Sequence, residues 1–157
     1  MEGAWIRCPI CGHRWRRQDN QPASRYTQLI ARNDAASATL SRKLRDRLDT
    51  LAALLPGPGT SRRFLEIGCA EGHLGEALKA LQPMIYDGIE ISRDADFASR
   101  RLDTVFRHTA AYVNSPPYDG ILAFHVLEHI QDPGAELTEW RRLMNPSGCM
   151  VLEVPNQ

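Results

Sequence analysis

The stretch that decides the fold is Phe64-Leu-Glu-Ile-Gly-Cys-Ala-Glu-Gly-His-Leu-Gly75. Its first residues are typical of a buried strand, and glycines at positions 68, 72 and 75 lead directly into a helix. Such a loop lets a nucleotide-like ligand approach the backbone, and the first N–H groups of the helix can donate to it. Ala70 stands where the dinucleotide fingerprint has its second glycine, which argues against NAD or FAD. For this run alone, a glycine turn without a ligand is the alternative.

Short apolar runs alternate with amphipathic segments from residue 63 onward. The spacing predicts helices in the intervals around residues 74–81 and 132–144, the second with Asp132 as its N-cap and Pro133 in its first turn. Strands separated by helices predict an α/β fold with a parallel sheet. The runs that predict strands are Phe64–Ile67, Met84–Ile89, Thr104–Phe106, Gly120–Phe124 and Cys149–Val154.

A second carboxylate strengthens the case for a ligand. Glu90 follows the second predicted strand, 22 positions after Gly68. An acidic residue at about this separation meets the ribose hydroxyls in doubly wound folds. Glu66 and Glu90 are therefore expected at the carboxyl ends of adjacent strands. Glu90 alone would indicate a solvated strand-end residue, but the joint occurrence favours a binding site.

Four segments together resemble the successive motifs of class I S-adenosylmethionine-dependent methyltransferases, in the branch similar to ubiquinone and menaquinone biosynthesis methyltransferases. They are Leu65-Glu-Ile-Gly-Cys-Ala-Glu-Gly72, Gly88-Ile-Glu-Ile91, Tyr118-Asp-Gly-Ile-Leu-Ala-Phe-His-Val-Leu-Glu-His129 and Gly148-Cys-Met-Val-Leu-Glu-Val-Pro-Asn156. The resemblance implies a Rossmann-like, doubly wound, mostly parallel sheet with strand order 3-2-1-4-5. Family members continue with further strands, so we expect a C-terminally short core with its last strands missing and one sheet edge exposed.

The resemblance also implies the cofactor site. Glu66 and the Gly68–Gly72 loop would hold the methionine part of S-adenosylmethionine, Glu90 would accept hydrogen bonds from the ribose, and Ile91 would pack on the adenine. The segment Ala123-Phe124-His125 would line the cofactor near its sulfonium. The residues expected to bind the cofactor are Glu66, Gly68, Cys69, Ala70, Gly72, Glu90, Ile91, Ala123 and Phe124.

Methyl transfer to a hydroxyl or amine often needs a base. His125 and His129 are the candidates near the fourth strand whose unperturbed pKa suits that task. His125 is the catalytic candidate, with a pocket-lining role as the alternative. For His129, a structural role is as well supported as a catalytic one.

Charge divides the chain. Residues 1–63 hold 12 basic and 5 acidic side chains, whereas the remainder holds 7 basic and 14 acidic ones, so the net charge of zero is a cancellation. We expect a Cys- and Arg-rich head over residues 1–20 and a helical extension with a Pro-Gly linker over residues 21–59. The cofactor-binding core is expected over residues 60–157.

The head suggests two further ligands. Cys8 and Cys11 lie in a Cys-Pro-Ile-Cys-Gly run that resembles half of a zinc ribbon. A structural zinc site needs four ligands, so a degenerate knuckle without metal and a site shared by two chains both stay open. The arginines beside it, Arg14 among them, could bind nucleic acid, but a solvated basic segment is the favoured interpretation.

The sequence therefore predicts a methyltransferase that acts on a small-molecule acceptor. The alternatives are an RNA or protein methyltransferase that docks through the basic head, and a non-catalytic remnant that still binds S-adenosylmethionine. No apolar run approaches the roughly 18 residues of a membrane span, and no signal peptide is evident. We accordingly expect a cytoplasmic protein that does not engage membranes, with a homodimer through the exposed sheet edge as one way to cover that edge.

Overall fold

A computed structural model of the chain describes residues 5–7, 14–16, 42–51, 62–107 and 117–155. The chain forms two compact units, Met1–Ala31 and Arg32–Gln157. In the first unit, strands β1 (Trp5–Arg7) and β2 (Arg14–Arg16) pair in antiparallel register, with Trp5 opposite Arg16. The predicted cysteine pair, Cys8 and Cys11, lies outside the described residues.

The second unit contains a sheet whose strands alternate with helices. Helix α1 includes residues 42–51. It is followed by β3 (Arg62–Ile67), α2 (His73–Leu81), β4 (Met84–Ile89), α3 (Ala95–Ala98), β5 (Thr104–Phe106), β6 (Tyr118–Phe124), a 3-10 helix (Leu127–His129), α4 (Pro133–Arg142) and β7 (Met144–Glu153).

The described sheet has five strands in the order β5-β4-β3-β6-β7, and every neighbouring pair is parallel. This confirms the predicted α/β fold and the order 3-2-1-4-5. Strand β3 lies at the centre, with β4 on one side and β6 on the other. All five carboxyl ends therefore point to one edge, where ligands bind in open α/β sheets.

Strand β3 begins at Arg62, two residues before the predicted Phe64. Two further strands, β6 and β7, begin earlier than the sequence predicts because of how they pair. Strand β6 starts at Tyr118, and β7 starts at Met144 instead of Cys149. The cause is an irregularity in their pairing, because Tyr118 pairs with Met144 while Gly120 pairs with Cys149. The extra residues of β7 between those pairs include Pro146, which has no N–H to donate to a ladder.

Helix α4 begins where its sequence signals predict. Asp132 is the N-cap, and its Oδ1 accepts a hydrogen bond from the N–H of Ala135 at 3.0 Å. Pro133 occupies the first turn, where a missing N–H costs no intrahelical bond. Trp140, in the apolar stripe of this helix, is only 1% exposed.

Each face of the sheet carries its own apolar cluster. Phe64 and Leu65 are consecutive in β3 and belong to different clusters, as expected for alternating strand side chains. The Phe64 cluster includes Leu51 of α1 and Leu78 of α2, whereas the Leu65 cluster includes Trp140 of α4. Helix α1 is thus part of the core unit. None of the helices in the described ranges is long and apolar enough to cross a membrane.

Candidate functional site

The glycine-rich loop after β3 turns tightly against the end of β4. The N–H groups of Gly68 and Cys69 both donate to the carbonyl of Ile89, at 2.8 and 3.0 Å. Gly68 and Gly72 adopt positive φ values of 71° and 81°. At Gly68, a Cβ would stand 2.6 Å from Cγ2 of Val126, so the loop leaves no room for a side chain there. The backbone is therefore fixed close to the strand ends.

Ala70 adopts a φ of 47°, in the left-handed region that glycine tolerates best. Its N–H donates to Oε2 of Glu90 at 2.9 Å. The other oxygen of Glu90, Oε1, accepts from the N–H of Ser92 at 2.7 Å. The loop after β3 and the end of β4 are thus tied together through one carboxylate, and Glu90 lies where the sequence predicts it.

Glu66 is the other strand-end carboxylate, and it is 5% exposed. The Tyr86 hydroxyl donates to its Oε2 at 3.1 Å. Burial raises the pKa of Glu66 to about 7; the Tyr86 hydrogen bond and the charge of Arg47 oppose this rise, and the charge of Glu90 adds to it. A cation bound beside Glu66 would favour its ionised form.

The remaining residues of the expected cofactor site differ in what they can offer. The Cys69 side chain is buried, and that burial raises the pKa of its thiol, so the group is inert and its contribution is limited to the backbone. Ala123 is also buried, at 1% exposure, whereas Ile91 is 68% exposed and available for an apolar contact. Phe124 is half-buried at the end of β6.

His125 follows β6 directly and has a φ of 57°. Its N–H donates to the carbonyl of Glu153 at 2.9 Å. In its ring, Nε2 lies 2.8 Å from Oε1 of Glu153, and Nδ1 lies 3.5 Å from Oε1 of Glu128. The side chain is 36% exposed. His129, the second candidate, has its Nε2 4.0 Å from Oε1 of Glu128.

Glu153 connects His125 to helix α1. The Arg47 guanidinium donates to both of its carboxylate oxygens, from Nη2 to Oε1 at 2.8 Å and from Nε to Oε2 at 3.1 Å. Hydrogen bonding and charge from Arg47 hold the pKa of Glu153 below its usual range, with a smaller contribution from His125. Arg47 also stacks over Phe124, with its guanidinium carbon 4.3 Å from the ring centroid.

A cleft of about 330 Å³ lies between α1 and the carboxyl ends of β6 and β7. One wall is polar and comes from the helix, while the other is mainly apolar and comes from the strands. The lining residues are Lys43, Asp46, Arg47, Thr50, Leu51, Phe124, Val151, Leu152 and Glu153. Because Phe124 and Glu153 adjoin His125, the cleft opens next to the catalytic candidate.

Sequence reasoning did not identify Arg47 or Glu153 as site residues. A signal existed for Glu153, because it is a carboxylate near the carboxyl end of a predicted strand, as are Glu66 and Glu90. Arg47 gave no comparable signal, since it is one of several charged residues between the leucines of its helix. In the described ranges, no group of three or more His, Cys, Asp or Glu side chains could hold a metal ion.

A family model described as a methyltransferase domain matches residues 36–157 of this chain. Among curated proteins, the ubiquinone biosynthesis O-methyltransferase of Cereibacter sphaeroides is 30% identical over 152 residues, which cover 87% of this chain and 58% of that protein. The Dinoroseobacter shibae protein of the same name is 29% identical over 110 residues, covering 65% and 44%. The chain spans about half the length of the curated relatives it matches.

Solved structures share the fold. An S-adenosylmethionine-bound amino pentose methyltransferase from Micromonospora echinaspora has a TM-score of 0.60 at 18% identity, over 81% of this chain and 58% of its own. A methyltransferase from Thiobacillus denitrificans, in complex with S-adenosylhomocysteine, has a TM-score of 0.53 at 20% identity, over 68% and 47%. At these identities the likeness concerns the fold.

Proposed function

Because this chain belongs to the methyltransferase-domain family, we propose that it binds S-adenosylmethionine and transfers the methyl group to a small molecule. The observation that carries the proposal is the joining of the glycine loop to Glu90 beside the buried Glu66. Relatives named for ubiquinone biosynthesis support a small-molecule acceptor.

The strand ends fit the cofactor. Glu90 already accepts two backbone N–H groups, but each carboxylate oxygen keeps a further lone-pair site for a ribose hydroxyl. The glycine loop lets the methionine part approach the backbone, and the ammonium group would lie toward Glu66. Ile91 offers an exposed apolar surface for the adenine. Backbone atoms of Gly68, Cys69, Ala70, Gly72 and Ala123, with the ring of Phe124, complete the proposed site.

When bound, S-adenosylmethionine supplies a sulfonium-activated methyl group. The protein has to align the acceptor in line with the departing sulfur and remove a proton from a hydroxyl or amine acceptor. We assign proton removal to His125 and acceptor binding to the cleft between α1 and β7. Methyl transfer leaves S-adenosylhomocysteine and the methylated acceptor, while the acceptor's proton passes to His125 and then to water.

Calorimetric titration with S-adenosylmethionine and S-adenosylhomocysteine tests the cofactor site. We expect wild-type protein to bind both and Glu90→Ala to bind at least about tenfold more weakly, because the ribose loses a charged acceptor. Glu139→Ala is the matched control, since Glu139 is exposed on α4 and pairs with Arg142. Absence of binding by the wild-type chain would reject the proposal.

The alternative functions give different results. Binding without methyl transfer to any acceptor in a panel of phenols, amines and sugars would indicate a cofactor-binding remnant. Nucleic-acid binding that weakens steeply with salt would favour an RNA substrate docked by the basic head. We regard that function as the weaker one, because no recognised RNA-binding motif accompanies the arginines of the head.

Three further expectations belong to this proposal. A zinc assay on protein prepared without chelator tests Cys8 and Cys11 as ligands. A homodimer through β7 is supported by the position of that strand at the sheet edge, with Leu152 39% and Val154 49% exposed. Sedimentation tests that dimer, and fractionation tests a cytoplasmic location.

A further inference from the structure

The side chain of Arg101 reaches from the segment after α3 to the glycine-rich loop. Its Nη1 donates to the carbonyl of Glu71, in the loop, at 3.1 Å and to the carbonyl of Phe97, in α3, at 3.2 Å. Its Nε donates to Oε2 of Glu76, in the first turn of α2, at 3.0 Å. The guanidinium of Arg101 thus joins the loop to both helices.

The Glu71–Gly72 peptide group is held at both of its polar atoms. Arg101 donates to its carbonyl oxygen, and its N–H donates to the carbonyl of Cys69 at 2.9 Å. Gly72 has a φ of 81°, and glycine adopts positive and negative φ about equally readily, so its conformation depends on its contacts. Without Arg101, the carbonyl would lose this hydrogen bond, and rotation of the peptide group would cost less.

Packing restricts the position of the loop, but it does not fix the direction of this carbonyl. A Cβ at Gly72 would stand 3.1 Å from Cα of Ala98 and 3.1 Å from Cγ of Leu102, so the end of α3 packs directly against the loop. Apolar contacts of this kind are non-directional, whereas hydrogen bonds prefer one alignment. Gly72 is also the N-cap of α2, without a side-chain hydrogen bond. The directional contact at this carbonyl therefore comes from Arg101.

We propose that Arg101 is a positioning residue that holds the Glu71–Gly72 peptide group and so keeps the glycine loop in the conformation that receives S-adenosylmethionine. The binding part of this inference rests on the proposed function, whereas the holding of the peptide group is a property of the protein alone. Charged side chains then fix two successive residues of the loop, since Glu90 accepts the N–H of Ala70. Glu90 also meets the cofactor in the proposed site, but Arg101 acts through the loop.

The effect on binding follows from the population of the loop conformations. A ligand binds more weakly in proportion to the fraction of protein molecules that are not in the binding conformation. Hydrogen bonds from a guanidinium are charge-assisted and stronger than neutral ones, so their loss allows other loop conformations to be populated. The bound cofactor orders the loop again. Loss of Arg101 therefore weakens cofactor binding while the rate of methyl transfer from the saturated enzyme is kept.

Calorimetry with S-adenosylhomocysteine and kinetics with an active acceptor from the panel test this effect. We expect Arg101→Met to bind S-adenosylhomocysteine about tenfold more weakly and to raise the KM for S-adenosylmethionine by a similar factor, while kcat changes by less than about twofold. Arg100→Met is the matched control and should match wild type, because Arg100 is exposed and its guanidinium carbon lies 5.8 Å from the Phe97 ring centroid. Arg101→Lys keeps the charge without the planar guanidinium, so its affinity should be intermediate. Unchanged affinity in Arg101→Met would overturn the proposal.

Glu76→Ala separates the contact with the loop from the ion pair. It removes the partner of Nε but leaves the Glu71 carbonyl in place for Nη1. Because Glu76 is 56% exposed, its ion pair contributes little, and affinity should fall by less than about threefold. A loss as large as that in Arg101→Met would show that the ion pair carries the effect, and it would overturn the proposal.

Hydrogen exchange at the Gly72 N–H tests the loop without a ligand. We expect this N–H to exchange at least about fivefold faster in Arg101→Met than in wild type, because the loop opens more often. The Ala135 N–H, which donates to Asp132 at the start of α4, is the internal control and should exchange at the wild-type rate. Equal rates at Gly72 in the two proteins would overturn the proposal.

Two further outcomes are distinguishable. A wild type that binds neither S-adenosylmethionine nor S-adenosylhomocysteine would reject the proposed function, and exchange at Gly72 would then decide the role of Arg101 in the loop. If circular dichroism shows that Arg101→Met does not fold, Arg101→Lys replaces it in both measurements. Wild-type affinity together with wild-type exchange at Gly72 in that variant would then overturn the proposal.

Discussion

Two carboxylates stand near the carboxyl ends of strands at the same edge of the sheet, and their surroundings differ. Glu66, at the end of the central strand β3, is buried, and its pKa is raised to about 7. Glu153, at the end of the edge strand β7, is 39% exposed in its side chain, and Arg47 lowers its pKa. Environment therefore makes the first a proton-exchanging group near neutral pH, whereas it favours the ionised form of the second.

The backbone shows a parallel contrast. After β3 the chain uses glycine at two of its three positive-φ positions, with Ala70 as the third, whereas after β6 it uses histidine at φ 57°. Glycine lets the first loop turn tightly against the end of β4. The strained histidine after β6 is stabilised by contacts from β7. The β3 end is thus a tight glycine turn, where we propose that the cofactor binds, whereas the β6–β7 end holds one side chain in place.

The largest expected effect on stability comes from a substitution in the glycine loop after β3. Gly68→Ala should lower the free energy of unfolding by about 2–5 kcal/mol, because a side chain at positive φ is strained and overlap with a packed neighbour adds to it. The neighbour is Cγ2 of Val126, 2.6 Å from the position that the new Cβ would take. Urea denaturation measures this change. Gly134→Ala is the control, since its nearest atom would be 3.5 Å away and no loss is expected there.

The contrast between the carboxylates should appear as opposite pH dependences of stability. Burial raises the pKa of Glu66 from its ordinary 4.5 to about 7 in the folded protein. Its contribution to the free energy of unfolding is therefore complete below pH 4.5 and is lost as pH rises through 7. The total loss is roughly 3 kcal/mol. The pKa of Glu153 is lowered, so its contribution is present above its ordinary pKa and is lost as acid protonates it.

Denaturation of Glu66→Gln and Glu153→Gln between pH 3 and pH 9, a range of about six units, separates these contributions. Glutamine at position 66 can still accept the Tyr86 hydrogen bond, so the neutral-pH slope should flatten while the fold is kept. In Glu153→Gln, the free energy of unfolding should depend on pH near neutrality as it does in wild type. Its dependence on pH in the acidic range should be weaker than in wild type. Equal slopes in wild type and Glu66→Gln near pH 7 would contradict a proton-exchanging Glu66.

The strained histidine gives the next effect. His125→Ala should lower turnover about a hundredfold, because it removes the proposed base. This loss corresponds to about 2.7 kcal/mol of activation free energy. Cofactor affinity should change little. His125→Gly removes the same ring while relieving the positive φ, so its turnover should fall without loss of stability from strain. Turnover and S-adenosylhomocysteine titration measure both. Unchanged turnover would remove His125 from the mechanism.

The smallest effect concerns Ala70, with a φ of 47°. Ala70→Gly relieves strain but makes the unfolded chain more flexible, so the free energy of unfolding should change by less than about 1 kcal/mol. Cofactor affinity should rise slightly, since the loop then adapts more easily to a ligand. Denaturation and calorimetry measure the pair of effects, and a clear loss of affinity would show that the Ala70 methyl itself supports binding.

Much of this fold could be predicted because its signals are local. The bounds of β4 and β5 match the predicted runs, and the Asp132 cap places the start of α4 where it lies. The starts of β6 and β7 could not be predicted, since they depend on an irregular pairing between strands separated by α4. Residues 42–51 are helical as expected, and the structure shows that they pack against the core beside Phe124 and Val151.

The sequence by itself determined the alternation of strands and helices, the glycine turn and the placement of Glu66 and Glu90 at strand ends, because buried strands, turns and helix caps depend on short runs of residues. The sheet order was implied by the resemblance to methyltransferases. The tertiary structure alone decided that Arg47, 106 positions from Glu153, anchors it, and that Glu153 in turn holds His125. It also decided that two strand-end glutamates have opposite pKa shifts. Desolvation and ion pairing depend on neighbours that folding brings together from distant parts of the chain.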